Sequence, residues 1–458
     1  MRILHLCLSR RAFIHLLITL MWCIQSAYIS LPEIWAYSHI NIPQTTFTVL
    51  ADPHVYDPSL GMEGDAFEQA MRSEIKLFRY SDQLLKSALD EIALSQADWV
   101  LIPGDLTKDG ERASHLLVAK RLHALEQKGI QVYVVPGNHD IDNPHAVHYT
   151  TAKPSPTPSV SAATFKRIYA DFGYTQAIAR DEHSLSYVAQ PAPGFWLLAL
   201  DSCRYAENLD YPITSGALQP ETLAWAVEIL KTARKQGTKV IGCMHHALVE
   251  NFAGHAELLP EFILQDHQKT GRILAAHQMP LVFTGHTHVQ DATFQTFNDG
   301  TYILDIQTGS LAASPHAYRL VQIFGGLVRI QSRQAQHLAD ETEQADFEDF
   351  SREFTRGGLE HKAGALGLTW PLDAVFAQAA WAHMQGDEYP GPETQHTLSV
   401  LSNSPLHIFS AAGSHLDSVW NDLPPADNNC LLYLPWNLGS DACLLKDLLR
   451  FFTTSAPR

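Results

Sequence analysis

Gln131-Val132-Tyr133-Val134-Val135-Pro136-Gly137-Asn138-His139-Asp140 is the stretch that decides how this chain is read. Its first five residues have the apolar, β-branched and aromatic character of a buried strand. Gly137 suits a sharp strand-to-loop turn and lets other backbone approach closely. An amide, an imidazole and a carboxylate then follow at what would be a strand's C-terminal end, where open α/β sheets gather their ligands.

Working outward, the same arrangement recurs. Residues 46–50 read as a strand followed by Asp52-Pro53-His54, and residues 99–103 as a strand followed by Gly104-Asp105. Residues 239–243 precede Met244-His245-His246, and residues 281–284 precede Gly285-His286-Thr287-His288. Between them lie helical patterns: Leu84, Leu85, Ala88, Leu89 and Ile92 recur at helical spacing, as do Leu116, Leu117, Leu122 and Leu125 before Gly129. Helices are also expected at about 220–236 and 261–277, and further strands at 195–200, 302–307 and 319–324. Strand-helix-strand alternation from about residue 40 to 331 predicts an α/β layer structure.

The five motifs supply carboxylate, amide and imidazole donors without thiolate, a set suited to borderline divalent metals such as Mn, Fe, Co or Zn rather than Ca. Two such ions ~3.5–4 Å apart clamp both oxygens of a phosphoryl displacement. The ordered pattern D-x-H, GD, GNHD, H and GHxH resembles the signature of the calcineurin-like metallophosphoesterases. That resemblance implies a four-layer α/β/β/α sandwich of two facing mixed sheets and a centre of two divalent or mixed-valence ions. It implies that Asp52, His54 and His288 hold one ion, that Asn138, His245 and His286 hold the other, and that Asp105 bridges them. It makes His139 face the substrate, as general acid or as a donor to the phosphoryl oxygens, with Asp140 orienting its ring, and a hydroxide between the metals the nucleophile. Gly104-Asp105-Leu106-Thr107 with Gly110 looks most like the bacterial class III cyclic-nucleotide phosphodiesterases that carry an extra C-terminal helical domain. Ala247 departs from the Pro that often follows the second histidine.

These residues favour a small phosphodiester as substrate. A phosphomonoester or phosphoprotein is the alternative, and a non-catalytic metal-binding envelope protein is a third reading. His246 and Asn251 are candidate substrate contacts, with packing beside the ligand as the plainer role for His246 and a loop role for Asn251. Asp201, at a strand end, is expected to fix a loop. Lys108 is the only Lys or Arg within a few residues of any motif, which leaves Arg204 and Arg272 as distant candidates for the pocket.

Around this core, the 458 residues carry a net charge of -17 spread along the chain, which disfavours stable nucleic-acid binding. Arg10 and Arg11 precede the apolar run 12–24, so residues 1–38 read as an export signal or membrane anchor, giving an exported protein that is periplasmic, secreted or membrane-anchored through its N-terminus. Ala36-Tyr37-Ser38 fits a cleavage rule. The catalytic domain is expected over 40–333. From 334 an acidic stretch opens a small, mainly helical C-terminal domain running to 458, with a helix at about 372–384. Six cysteines include no zinc-type pair, and Cys430 and Cys443 are either bridged or two separate thiols. Nothing in the sequence fixes an oligomeric state.

Overall fold

The computed structural model describes residues 44–324, 326–335, 338, 347–365, 367, 372–386, 390–403, 418–420 and 425–434. The export signal, Cys443 and most of the acidic stretch lie outside these residues.

Along the chain the strands are β1 (Thr45–Val49), β2 (Trp99–Ile102), β3 (Gln131–Val134), the short β4 (Val147–His148), β5 (Ser155–Pro156) and β6 (Ala179–Arg180), then β7 (Tyr187–Ala192) and β8 (Phe195–Ala199). They continue as β9 (Lys239–Cys243), β10 (Leu281–Thr284), β11 (Asp291–Thr296), β12 (Tyr302–Gln307), β13 (Ala317–Phe324), β14 (Leu327–Gln334) and β15 (Asn429–Tyr433). One sheet runs β15-β14-β13-β1-β2-β3 and the other β11-β12-β10-β9-β8-β7-β6. In the first, β1, β2 and β3 are parallel; in the second, β8, β9, β10 and β12 are parallel; the flanking pairs are antiparallel.

Side-chain alternation explains the layering. Phe195, Leu197 and Ala199, with Ile241, Cys243, Leu281 and Phe283, join the core shared by both sheets. The intervening Trp196, Leu198, Val240 and Val282 pack instead with Leu230 and Leu274 of helices Pro220–Gln236 and His267–Ala276. A period of two along the strand thus gives each face its own partner. Phe47 of β1 meets Phe283 of β10 edge-on at 5.3 Å, which places the two sheets face to face. Helices Ser81–Leu94 and Arg112–Glu126 bury Leu84, Leu85, Val118 and Leu122 against the first sheet. The result is the expected α/β/β/α sandwich with helices in the C-terminal region.

Sequence patterns missed β7, β11, β14 and β15. The last is the most consequential. It pairs antiparallel with β14, Cys430 opposite Ile330, and so returns the C-terminal region to the edge of the first sheet. The expected boundary at 333/334 falls at the end of β14. Helix Phe347–Ala365 also packs on the catalytic layer: His316 Nε2 lies 2.8 Å from Ser351 Oγ, and Ser314 N donates to Thr355 Oγ1 at 3.2 Å. Among the described residues no helix is long and apolar enough to cross a membrane.

Candidate metal centre

The C-terminal ends of five parallel strands, β1, β2 and β3 of one sheet and β9 and β10 of the other, deliver the motif residues to one edge of the sandwich. The loops stay in register just beyond the strands, with His54 N donating to Asp105 O and Gly285 N to His245 O, each at 3.0 Å. Turning side chains inward there requires unusual backbone. Asp52, His54, Asp105, His286 and His288 all adopt left-handed conformations, with φ between 41° and 69°. Five non-glycine residues in that region mark stored strain, which collects at functional sites. Close approach imposes glycine at two neighbours: a Cβ on Gly137 would lie 2.1 Å from Asp105 N and Oδ1, and one on Gly104 would lie 2.7 Å from His245 Nδ1.

Two donor groups result. Asp52, His54, Asp105 and His288 form one; Asp105, His245 and His286 form the other, and within each the donor atoms lie within 4.8 Å of one another. Asp105 belongs to both. Its Oδ2 is 3.5 Å from His54 Nε2 and 3.4 Å from His245 Nε2. Asn138 Oδ1 joins the second group at 2.9 Å from His245 Nε2.

These residues fit divalent cations. Asp52, His54 and His245 are wholly buried, and anionic or converging donors are costly there without a cation. Burial, opposed by His245 and reinforced by Asp105, pushes the Asp52 carboxyl up to about 8. Burial also acts against Asp105, but the His245, His139 and His54 rings outweigh it and hold this carboxyl well below the usual range. His54, His286 and His288 are held well below the ordinary imidazole value, by burial first and then by Lys76 at His54 and His288 and by His246 at His286. Neutral imidazole is the form that binds metal. The far nitrogens are oriented as metal ligands require: His245 Nδ1 sits 2.7 Å from Pro103 O and His286 Nε2 3.0 Å from Glu261 O. His54 Nε2 and His288 Nε2, 3.1 Å apart, point at one spot.

His139 sits differently. It lies outside both donor groups, and its side chain keeps 24 % exposure beside the buried ligands. Its Nε2 is 4.0 Å from Asp105 Oδ2. The partner orienting its ring is Asp109, whose Oδ1 accepts from Nδ1 at 2.9 Å. This corrects the role expected for Asp140. That carboxylate is buried under four donors, the amides of Leu106, Thr107 and Gly137 and the Thr107 hydroxyl, at 2.8–3.1 Å. Asp140 therefore ties two motif loops together and has no lone pair turned to the ring. No local pattern marks Asp109, because it meets His139 across 30 residues of chain. Lys108 turns inward onto Asp109 and packs over Phe78.

His246 and Asn251 also differ from a substrate-contact role. The His246 ring is buried with Nδ1 2.8 Å from Ser202 Oγ and Nε2 2.9 Å from Thr214 O, so neither nitrogen is offered to a ligand. Burial and His245 pull its pKa down to about 3. Asn251 Nδ2 donates to Gln307 Oε1 at 3.1 Å, and Thr287 Oγ1 donates to the same oxygen at 2.9 Å. Asn251 thus braces the loop between His286 and His288. Asp201 takes the amides of Leu185 and Cys203 and the Tyr205 hydroxyl, fixing its loop.

One functional candidate had no signal near any motif. Lys76 comes from the loop before the turn Phe78–Tyr80, with Nζ 5.3 Å from the Phe78 ring centroid. Its charge helps to lower the pKa of His54, His139 and His288.

Residues 45–290 match the family model for the calcineurin-like phosphoesterases. The chain belongs to that family. An uncharacterized metallophosphoesterase, YhaO, from Bacillus subtilis is 22% identical over 290 residues, covering 58% of this chain and 59% of its own length. The chain therefore spans about three fifths of that relative. Among solved structures, a dimetal phosphatase from Danio rerio aligns with a TM-score of 0.47 at 17% identity, covering 64% of this chain and 97% of the other. A putative 5'-nucleotidase from Staphylococcus aureus aligns with a TM-score of 0.38 at 13% identity, covering 69% and 58%.

Proposed function

We propose that this metallophosphoesterase hydrolyses phosphodiesters, with Asp52, His54, Asp105 and His288 holding one divalent ion and Asp105, Asn138, His245 and His286 the other. Ions bound there would supply the positive charge that ionises an attacking water and neutralises phosphoryl oxygens. The chain's own residues position and protonate. His139, anchored through Nδ1 to Asp109, holds Nε2 4.0 Å from the shared Asp105 carboxylate. Burial works against its protonation, but Asp105 and Asp109 prevail and raise its pKa. Protonated His139 then donates to a phosphoryl oxygen as charge grows there, or to the departing alkoxide.

The preference for diesters rests on how little other cationic charge faces the site among the described residues. A monoester carries nearly two negative charges near neutral pH and a diester one. Lys108 is spent on Asp109, Arg204 pairs with Glu207 and Ser215, and Arg272 lines a separate cleft with Asp266 and Asp299. Lys76 remains, and it is the observation that favours the monoester reading. The deciding assay compares bis(p-nitrophenyl) phosphate with p-nitrophenyl phosphate on Mn-loaded protein. A higher kcat/KM for the diester is expected, and a clear preference for the monoester would promote phosphomonoester hydrolysis.

A further inference from the structure

Beside the metal centre lies a cavity of about 430 Å³ that the reaction described so far does not use. Its size falls within the ~300–1,000 Å³ typical of small-molecule sites. Phe252, Leu259 and Phe262 of the catalytic layer line it together with Phe376, Ala380 and Met384 of helix Leu372–Gln385. Thr287 and His288 belong to the same wall. A residue of the first donor group therefore borders the cavity directly.

We propose that this cavity binds the long alkyl chain of an amphiphilic phosphoester, leaving its phosphate at the metal centre; the proposal rests on the phosphoesterase reading above. Three observations select an alkyl chain over a sugar or base. First, several polar groups of the wall are already engaged: Asn251 Nδ2 and Thr287 Oγ1 donate to Gln307, and His383 Nε2 lies 3.0 Å from Asp291 Oδ2. The two unpartnered wall atoms, Asn251 Oδ1 and His255 Nδ1, are shielded from solvent. A ligand hydroxyl entering there would lose water without gaining a partner. Second, apolar surface is left uncovered at the rim, where Leu258 is 50% exposed. Covering such surface is favourable in proportion to its area. Third, polarity is graded along the chain itself. Ile75 lines the cavity, and the next residue, Lys76, sets its ammonium 5.3 Å from the Phe78 ring, which packs edge-on against the His54 ring at 6.3 Å. An ester with an anionic head and an apolar tail matches that gradient from end to end.

The test uses full-length Mn-loaded protein and p-nitrophenyl phosphodiesters whose second alcohol is methyl, butyl or octyl. The kcat/KM should climb with chain length, by up to about fourfold per buried methylene, and level off once the cavity is full. Ala380→Trp, which fills the cavity from the helix, should abolish the climb and leave the methyl ester unchanged. Leu258→Asn at the half-exposed rim serves if that variant fails to fold, and should reduce the climb. In parallel, calorimetry on metal-free protein compares octyl phosphonate with methyl phosphonate, free of any nitrophenyl ring. Tighter binding of the octyl compound to wild type, lost in either variant, is expected. A flat chain-length series alongside turnover of the methyl ester overturns the cavity proposal and leaves the phosphoesterase reading standing. If no ester is turned over, the phosphoesterase reading falls and calorimetry alone decides the cavity; equal affinity for both phosphonates then overturns it.

Discussion

Asp109 offers the most discriminating perturbation, because one carboxylate serves both an imidazole and an ammonium. It accepts from His139 Nδ1 at 2.9 Å and holds the Lys108 ammonium in a nearly closed environment, with side-chain exposures of 9% and 10%. Burial acts against its charge, yet Lys108 and His139 together keep its pKa below the usual carboxylate range. Asp109→Asn keeps the shape and removes the charge. A hydrogen bond to a charged group contributes roughly 1.5–3 kcal/mol. If protonated His139 draws that much from Asp109 in the transition state, kcat falls by about ten- to a hundredfold. That is less than His139→Ala, which removes the general acid outright at a cost of roughly a hundredfold or more.

The sign of the pH effect follows from the same contact. Asp109 raises the His139 pKa, so its loss moves the alkaline limb of the rate profile to lower pH. The second partner complicates stability, since leaving Lys108 buried with only half its compensation costs up to roughly 3–5 kcal/mol. Glu111, held up at about 7 chiefly by burial and Asp109, then faces Lys108 alone and softens that loss. The double variant Lys108→Met, Asp109→Asn separates the two effects: thermal stability should recover while kcat and the shifted limb do not. Steady-state kinetics across pH, with metal content by elemental analysis, reads the outcome. A stable, metal-loaded double variant with kcat within threefold of wild type and an unmoved limb would refute the role assigned to Asp109.

Three further outcomes test the centre itself. Asp105→Ala should lose both metal equivalents on dialysis because both donor groups share that carboxylate; one equivalent retained at full affinity contradicts the sharing. Gly137→Ala, whose Cβ would fall 2.1 Å from Asp105 N and Oδ1, should lower Tm by several degrees and weaken metal retention, and an unchanged Tm speaks against so tight a contact. In metal-free protein Asp52 rises from 3.8 to about 8 and His245 from 6.5 to about 9, so the folded state holds protons that the unfolded state releases and loses stability as pH rises across that window. Bound cations require both groups deprotonated, so the Tm gap between metal-loaded and metal-free protein should widen from pH 5 to 9; a constant or shrinking gap defeats this account.

How much of this was legible in the sequence depends on the distance over which each residue acts. The five parallel strands and the donors at their ends were readable because strand pattern and ligand are contiguous, as in Gln131–Val134 running into Asn138. Asp140 was misassigned for a local reason. It is adjacent to His139 in sequence, but the turn sends its carboxylate back to the amides of Leu106 and Thr107, thirty-odd residues away. Asp109 reaches His139 across the same gap, and no periodic pattern reports a pairing between two loops. The strand at Asn429–Tyr433 was hidden for a related cause, since an edge strand pairing on one side carries a short and mixed signal.

Lys76 shows how the C-terminal region enters the chemistry. Gly358 of helix Phe347–Ala365 packs so closely on the loop that a Cβ there would come within 2.2 Å of Glu74 O. Thr355 Oγ1 donates to Ile75 O at 3.3 Å, and Leu77 N donates to Ala312 O at 2.7 Å. The short loop carrying Ile75 and Lys76 is thus clamped between the sheet-edge segment at Ala312 and a helix from beyond residue 346. A lysine on a free loop would give its charge to solvent and pay rotamer entropy to approach a phosphate. Pinned by backbone contacts on both sides, it holds its charge near His54, His139 and His288, and Ile75 beside it is placed in the cavity wall by the same contacts. The helix that fixes the cation therefore also fixes one wall of the apolar cavity, so charge recognition and chain recognition share a single mechanical support.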